Sequence, residues 1–319
     1  MTLVQTMRPA KPNVPGLDQF AAWSTDHLLA EQAAGKPKDP LYHYTDEAGL
    51  RGILSNAELW CFAHTHQTDP KEFRFSLSVA KRVINQLAAQ FDLEGKRAGA
   101  DFCRCLGDLI ANNDLAGPFE FYLFSLSRHR DHESQWRHYA RGGSGFAIGL
   151  SSALFQPHQQ VNADANRNVL MSPVTYGPEA TSVRHRIPIE RAASIVQDNI
   201  LAIRNKLPAS VYLHEFATEV LASHLIWNCV TAKETIFADE KEVRGVIVNE
   251  RVKFDRLRCL HNERPYVKTP LALKVPHNVT EILVGPNAPL ESEEWVRSFL
   301  RDAGYSCAIP VRRSIAEPS

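Results

Sequence analysis

The stretch FEFYLFSLS at 119–127 restricts the fold of this chain more than any other segment. Its apolar residues run almost unbroken up to the serines, without the polar alternation of a strand that has one wet face. It therefore predicts a central strand covered on both sides. Such a strand needs neighbours. Extended segments are expected at 41–44, 59–63, 145–150, 243–248, 271–275, 282–284 and 307–311. Helical spacing of apolar residues predicts helices over 17–35, 78–93, 100–112 and 292–303, the last closed by Gly304. One or two helical turns are expected in HESQWRHYA, and a helical insertion over about 189–230 is broken at Pro208. Thr45 is the expected cap of a helix whose buried face is Leu50, Ile53 and Leu54. Residues 156–172 read as an irregular excursion. Helices at the front and middle with most strands behind them point to α+β architecture rather than a repeating βαβ sheet.

Composition narrows the function classes. A chain of 319 residues allows two domains or one large one, and buries about 75% of its unfolded surface without staples. Lys plus Arg and Asp plus Glu are 36 each, which argues against a protein that lives by unspecific binding to polyanions. The six cysteines form no CxxC pair, so free thiols in a reducing, cytoplasmic setting are expected. No stretch approaches the ~18 apolar residues of a membrane span, and the first residues lack a signal-peptide core. No membrane partner is expected.

Four places can carry chemistry. His43, in Tyr42-His43-Tyr44-Thr45, lies where a strand gives way to a helix, and an imidazole there can hold a ligand hydroxyl or amide or be a satisfied core group. Ser125 and Ser127 share one face at the end of the central strand. They suit hydroxyl contacts to a ligand, or they cap the segment after the strand. Beyond them, Trp136 and Tyr139 are three residues apart on a short helix and are expected to share a face, for stacking on a planar ring or for core packing. The stretch 128–141 also carries Arg130, Arg137, His129, His132 and His138, a positive density able to meet a pyrophosphate or a basic patch diluted by Asp131 and Glu133.

The third place is TDPKE at 68–72. The fourth is EKEVR at 240–244. If the chain is extended from Glu240, then Glu240, Glu242 and Arg244 point to one side, because side chains alternate with period two. Two acids there can serve one reaction centre, one stabilising an oxocarbenium-like transition state and the other deprotonating a nucleophile. A solvated acidic turn is the other reading. No metal is expected: His64 with His66 and His129 with His132 lack a third ligand at the usual spacing.

These segments, in this order, resemble a large and mostly uncharacterised bacterial family that opens with Tyr-His-Tyr-Thr before a helix. The matching segments are LYHYTDEAGLRGIL at 41–54, TDPKE at 68–72, FSLSRHRDHESQWRHYARGGSGFAIGL at 124–150 and EKEVR at 240–244, with Thr68 in place of the usual Asn. The likeness covers roughly 40–314. That family looks like a branch of the ADP-ribosyltransferase superfamily, which binds NAD between two halves of a split β-sheet. The resemblance implies residues 40–319 as one such domain with helical insertions, and 1–39 as an N-terminal helical extension and linker outside it. It implies Glu242 as the catalytic acid on the ribose 2′-hydroxyl and Glu240 as the acid on the acceptor side. It implies NAD contacts from His43, Tyr44, Ser125, Ser127 and either Tyr139 or Trp136. The expected activity is transfer of ADP-ribose from NAD to a protein or nucleic-acid acceptor, as in a toxin or anti-phage effector. NAD hydrolysis and a non-catalytic NAD- or nucleotide-binding module are the alternatives.

Overall fold

The computed structural model describes residues 14–35, 40–64, 71–111, 119–155, 169–203, 206–250 and 258–316. In chain order the helices are α1 (Leu17–Gly35), α2 (Glu47–Asn56), α3 (Lys71–Leu93), α4 (Arg97–Ala111), α5 (Glu133–Tyr139), α6 (Pro178–Asn199), α7 (Ala209–Val220), α8 (Ile226–Val230) and α9 (Ser292–Asp302). The strands are β1 (Leu41–Thr45), β2 (Glu58–Ala63), β3 (Phe119–Ser127), β4 (Phe146–Leu150), β5 (Leu170–Pro173), β6 (Thr175–Tyr176), β7 (Ala232–Lys233), β8 (Glu242–Glu250), β9 (Cys259–His261), β10 (Arg264–Pro270), β11 (Val279–Val284) and β12 (Val311–Arg313). The fold is α+β, with a mixed ten-stranded sheet and a separate parallel pair, β6 with β7.

β3 is the hub. Along one edge it pairs with β8 from end to end, with Ser125 opposite Arg244 and Ser127 opposite Glu242. Its other edge is shared by two strands. β1 meets it only at Ser127, through Tyr42, while β2 meets it at Leu123 and Tyr122. β1 continues into β4, β11 and β12, and β2 into β10 and β9. The sheet therefore forks around Ser125.

Alternation along β3 and β8 sorts their side chains between two cores. Tyr122, Phe124, Leu126, Val243 and Ile247 join Leu50, Leu54, Val296 and Leu300 from α2 and α9. Phe121, Leu123 and Val246 face the other way, into a helical layer that includes Phe20, Leu87, Phe102, Phe216 and Trp227. The next positions on that second face, Ser125, Ser127, Glu242 and Arg244, are polar, so the apolar face ends where the fork begins. Gly245 allows the closeness of β3 and β8 there, because a Cβ on it would collide with the ring of Phe124 opposite.

Several expectations are corrected. Asp46, not Thr45, caps α2: its Oδ1 accepts the Gly49 N–H at 2.8 Å while Thr45 ends β1. The strand expected at 271–275 lies earlier, as β10, where pairing with β2 extends the ladder to Pro270. Leu271 and Leu273 still enter the core, but from turns. The last strand lies at 311–313, not 307–311. The expected excursion hides β5, which pairs with β8 and so gives it a neighbour on each side; residues 156–168 of it lie outside the described residues. The helical insertion begins at Pro178, not 189, and packs with α3 and α4. α1 packs into the same layer, with Phe20 fully buried.

Candidate functional site

At the fork, α3, α5, β3, β6, β7 and β8 each bring one or more polar side chains to a single cluster. Glu242 and Arg244 come from the start of β8 and face the same side, as strand alternation requires. Glu72 stands in the first turn of α3, where the positive end of the helix dipole favours a carboxylate. Lys233 is the last residue of β7.

Glu242 is buried and its acceptor capacity is filled. Its Oε1 accepts from the Ser125 hydroxyl and from Arg244 Nε at 2.7 Å. Its Oε2 accepts from Lys233 Nζ at 2.8 Å and from Arg244 Nη2 at 3.2 Å. Four donors on four lone pairs leave no vacant acceptor position. Burial opposes ionisation of this carboxyl, but Arg244 and Lys233 outweigh it and hold the pKa down at about 2. Arg244 completes its fork on Glu72 Oε2 at 2.5 Å and on the Val230 carbonyl at 2.6 Å. Lys233 Nζ also reaches Glu72 at 3.0 Å and Glu240 at 2.6 Å. Three carboxylates thus face two cations, leaving the cluster with one negative charge in excess.

Glu240 reaches the cluster by a different route from the one expected. It is not on the strand but ends a 3-10 turn, Thr235–Glu240. Lys241 follows in the left-handed region at φ +41°, and this turns the chain so that both acids still meet at Lys233. The other Glu240 oxygen accepts from the Tyr139 hydroxyl at 2.8 Å.

Ser125 is exposed although it lies on the central strand. With Tyr139 it is one of the places where the cluster touches solvent, since Glu242, Arg244 and Lys233 are each at least 95% buried. On its other side the Ser125 carbonyl lies 3.2 Å from Nδ1 of His43, a contact that fills the gap where β1 diverges from β3. Burial holds the His43 imidazole below its usual range, with the carbonyl working against that shift. Its ring is therefore neutral near pH 7. Tyr139, 43% exposed, lies against the same cluster through Glu240. Tyr176 accepts the Glu242 N–H at 2.8 Å.

Three expected contacts are core groups instead. Trp136 is buried, donates Nε1–H to Asp131 at 2.6 Å and packs edge-on against Tyr44 at 4.8 Å. Tyr44 is buried with it and donates to the His129 carbonyl at 3.1 Å. Trp136 is buried under α5 while Tyr139, the last residue of that helix, is 43% exposed and bonded to Glu240, so the two do not share a surface. Ser127 is buried and donates to the Glu240 carbonyl at 2.8 Å, holding the turn. The positive density at 128–141 is largely neutralised in place. Arg130 forms a two-pronged pair with Glu281 at 2.8 and 2.7 Å, Arg137 pairs with Glu133, and Arg141 pairs with Asp46 at 3.1 Å.

Sequence reasoning did not single out Lys233 or Tyr176. Lys233 carries no local signal, because a lone lysine after a helix is ordinarily solvated. Glu72 was visible within TDPKE, but its role depends on where α3 starts; residues 68–70 lie outside the described residues. Among the described residues no group of three His, Cys, Asp or Glu side chains is placed to hold a metal ion, and no helix is long and apolar enough to cross a membrane.

Residues 135–245 match the model of a family described as a protein of unknown function (DUF2971). No curated protein and no solved structure matches the chain. The matched segment carries Tyr139, Lys233, Glu240, Glu242 and Arg244, while His43, Glu72 and Ser125 lie before it.

Proposed function

We propose that this chain is an NAD-dependent ADP-ribosyltransferase whose site is the fork of the sheet. The observation that carries the reading is the exposed Ser125, flanked by the His43 imidazole and hydrogen-bonded to Glu242, whose carboxyl is paired with Arg244 and Lys233. An early imidazole and a late acid thus each contact Ser125, through its carbonyl and its hydroxyl. The excess negative charge of the cluster suits a reaction in which positive charge develops at the ribose C1′ as nicotinamide leaves. Glu242 cannot take up a proton or lose its charge in the neutral range, so it acts by electrostatics. A ribose hydroxyl reaches Glu242 most readily by replacing the Ser125 hydroxyl, the donor on the exposed residue. In this reading His43 holds the nicotinamide riboside and the exposed ring of Tyr139 stacks on it. Glu240, with its phenol tether, lies beside Glu242 for an incoming nucleophile.

The test is nicotinamide release and transfer of ADP-ribose mass to candidate acceptors after incubation with NAD. Removing the Glu242 charge as Glu242→Gln is expected to lower turnover about 10²–10³-fold. The same substitution sets an amide between two buried cations, so circular dichroism and a denaturation curve must accompany it. A folded Glu242→Gln protein with unchanged NAD consumption rules the assignment out. The complete saturation of Glu242 favours a second reading, a non-catalytic module that binds NAD or a nucleotide through His43 and the fork. Calorimetric NAD binding weakened by His43→Ala, without nicotinamide release, distinguishes it.

A further inference from the structure

We propose that Lys233 is the positioning residue of the carboxylate cluster, its ammonium group drawing Glu72, Glu240 and Glu242 to one point and so fixing the two acids at the fork relative to each other. The inference deepens the reading above and takes the reaction from it, but the geometry stands without it.

An ammonium group has three N–H donors. Here three carboxylates supply one oxygen each, at 3.0 Å from Glu72, 2.6 Å from Glu240 and 2.8 Å from Glu242. They belong to three different elements: the first turn of α3, the end of the 3-10 turn and the first residue of β8. The planar fork of Arg244 serves Glu242 and Glu72 but has no contact with Glu240 among those described. Glu240 therefore depends on Lys233 for its ion pair, and without it faces the charge of Glu242 with only the Tyr139 phenol as a tether. The position of Lys233 is itself fixed. Its backbone pairs with Tyr176 in the β6–β7 ladder, its carbonyl accepts the Gly177 N–H at 2.9 Å, and its Nζ lies 5.3 Å from the centre of the Phe237 ring. Burial disfavours its charge, but Glu242 and Glu72 hold it protonated above the usual lysine range despite Arg244. It is not available as a neutral amine nucleophile, which leaves orientation and charge as its role.

The full-length protein, labelled with 13C at glutamate carboxyls, provides the test. In Lys233→Met the Glu242 carboxyl is expected to titrate at least one pH unit higher than in the unaltered protein, a tenfold gain in proton affinity. In Lys233→Met/Glu240→Gln, where the charge balance is restored, the midpoint is expected to move part of the way back. A folded Lys233→Met protein with an unmoved Glu242 titration overturns the proposal. If neither variant folds, the unaltered protein decides: 15N spectra are expected to show a Lys233 ammonium group in slow exchange with water, and fast exchange like that of a surface lysine overturns it. Nicotinamide release separates this from the reading above. A wild-type protein that releases none removes the transferase reading and leaves the titration to judge Lys233. If the wild type is active, Lys233→Met is expected to lower kcat about tenfold or more with little change in KM for NAD, and an unaltered kcat overturns the positioning role.

Discussion

Among the described residues, two clusters of buried polar groups are treated in opposite ways. At the fork, Glu72, Glu240, Glu242, Lys233 and Arg244 are charged and joined by short contacts, and each Glu242 oxygen has two donors. In the helical layer, Ser24 pairs with His224 and Ser76 with His185, each at 3.0 Å, and these groups are neutral. There His185 Nδ1, His224 Nε2, Trp227 Nε1 and Asn228 Oδ1 have no hydrogen-bond partner among the described residues. Charge is tolerated in the interior where opposite charges converge and every lone pair is taken; a neutral imidazole survives there with half its capacity unused. Mutation is thus expected to cost most at the first cluster, and protonation at the second.

The largest expected effect is the removal of one cation from the fork. Arg244→Met is expected to cost about 3–5 kcal/mol of unfolding free energy, because it strands Glu242 and Glu72 without their shared guanidinium. Urea denaturation measures it. A loss below ~1 kcal/mol would show that the charges are solvated and would erase the contrast.

Acid is the next lever; it destabilises both clusters, but in different pH windows. Burial pushes His185 and His224 from 6.5 down to about 3, with Arg184 adding to both and His27 to His224. The unfolded chain therefore binds protons that the folded one refuses. The stability these groups support is complete above pH 6.5 and falls as pH drops from there toward 3, by about 2–3 kcal/mol each at pH 4.5. Glu242, held at about 2 against its ordinary 4.5, supports stability that is complete above pH 4.5 and is lost only as pH falls toward 2. Acid unfolding is expected to begin in the helical layer. Hydrogen exchange followed between pH 7 and 4 checks the order, and in His185→Leu/His224→Leu stability should vary less over that range. Earlier loss of protection at β8 than at α6 and α8 would reverse the comparison.

The smallest effect sharpens the boundary of the fork. Tyr139→Phe removes one hydrogen bond to a carboxylate at a partly exposed position, and is expected to cost about 1.5 kcal/mol or less. If Tyr139 serves as a stacking ring, NAD affinity by calorimetry should be nearly unchanged in this variant and should fall in Tyr139→Ala. Equal loss in both would place the role in the hydroxyl.

Much of this was legible in the residues, and the failures have physical causes. FEFYLFSLS named the central strand to the residue, because a run buried on both faces leaves no alternative pattern. Helix ends were less visible: α3 starts seven residues before its apolar periodicity suggested, since Glu72 is held by the cluster and not by a helical stripe. Trp136 and Tyr139 have helical spacing that predicts a shared face, but in this seven-residue helix Trp136 is buried while Tyr139, its last residue, stays partly exposed beside Glu240. Lys233 was invisible because its three partners lie 161, 7 and 9 residues away, and no local pattern links them.

The order of apolar and polar residues by itself determined an α+β chain with its strongest strand in the middle, two serines at the end of that strand, and an acid pair beside an arginine. Alternation and helical periodicity are local properties, and burial enforces them wherever the strand or helix ends up. Only the tertiary structure decided that β1 and β2 part at Ser125, that Glu240 joins Glu242 through a left-handed Lys241, and that Lys233 unites them with Glu72. Those outcomes depend on which distant charges must satisfy one another once water is excluded.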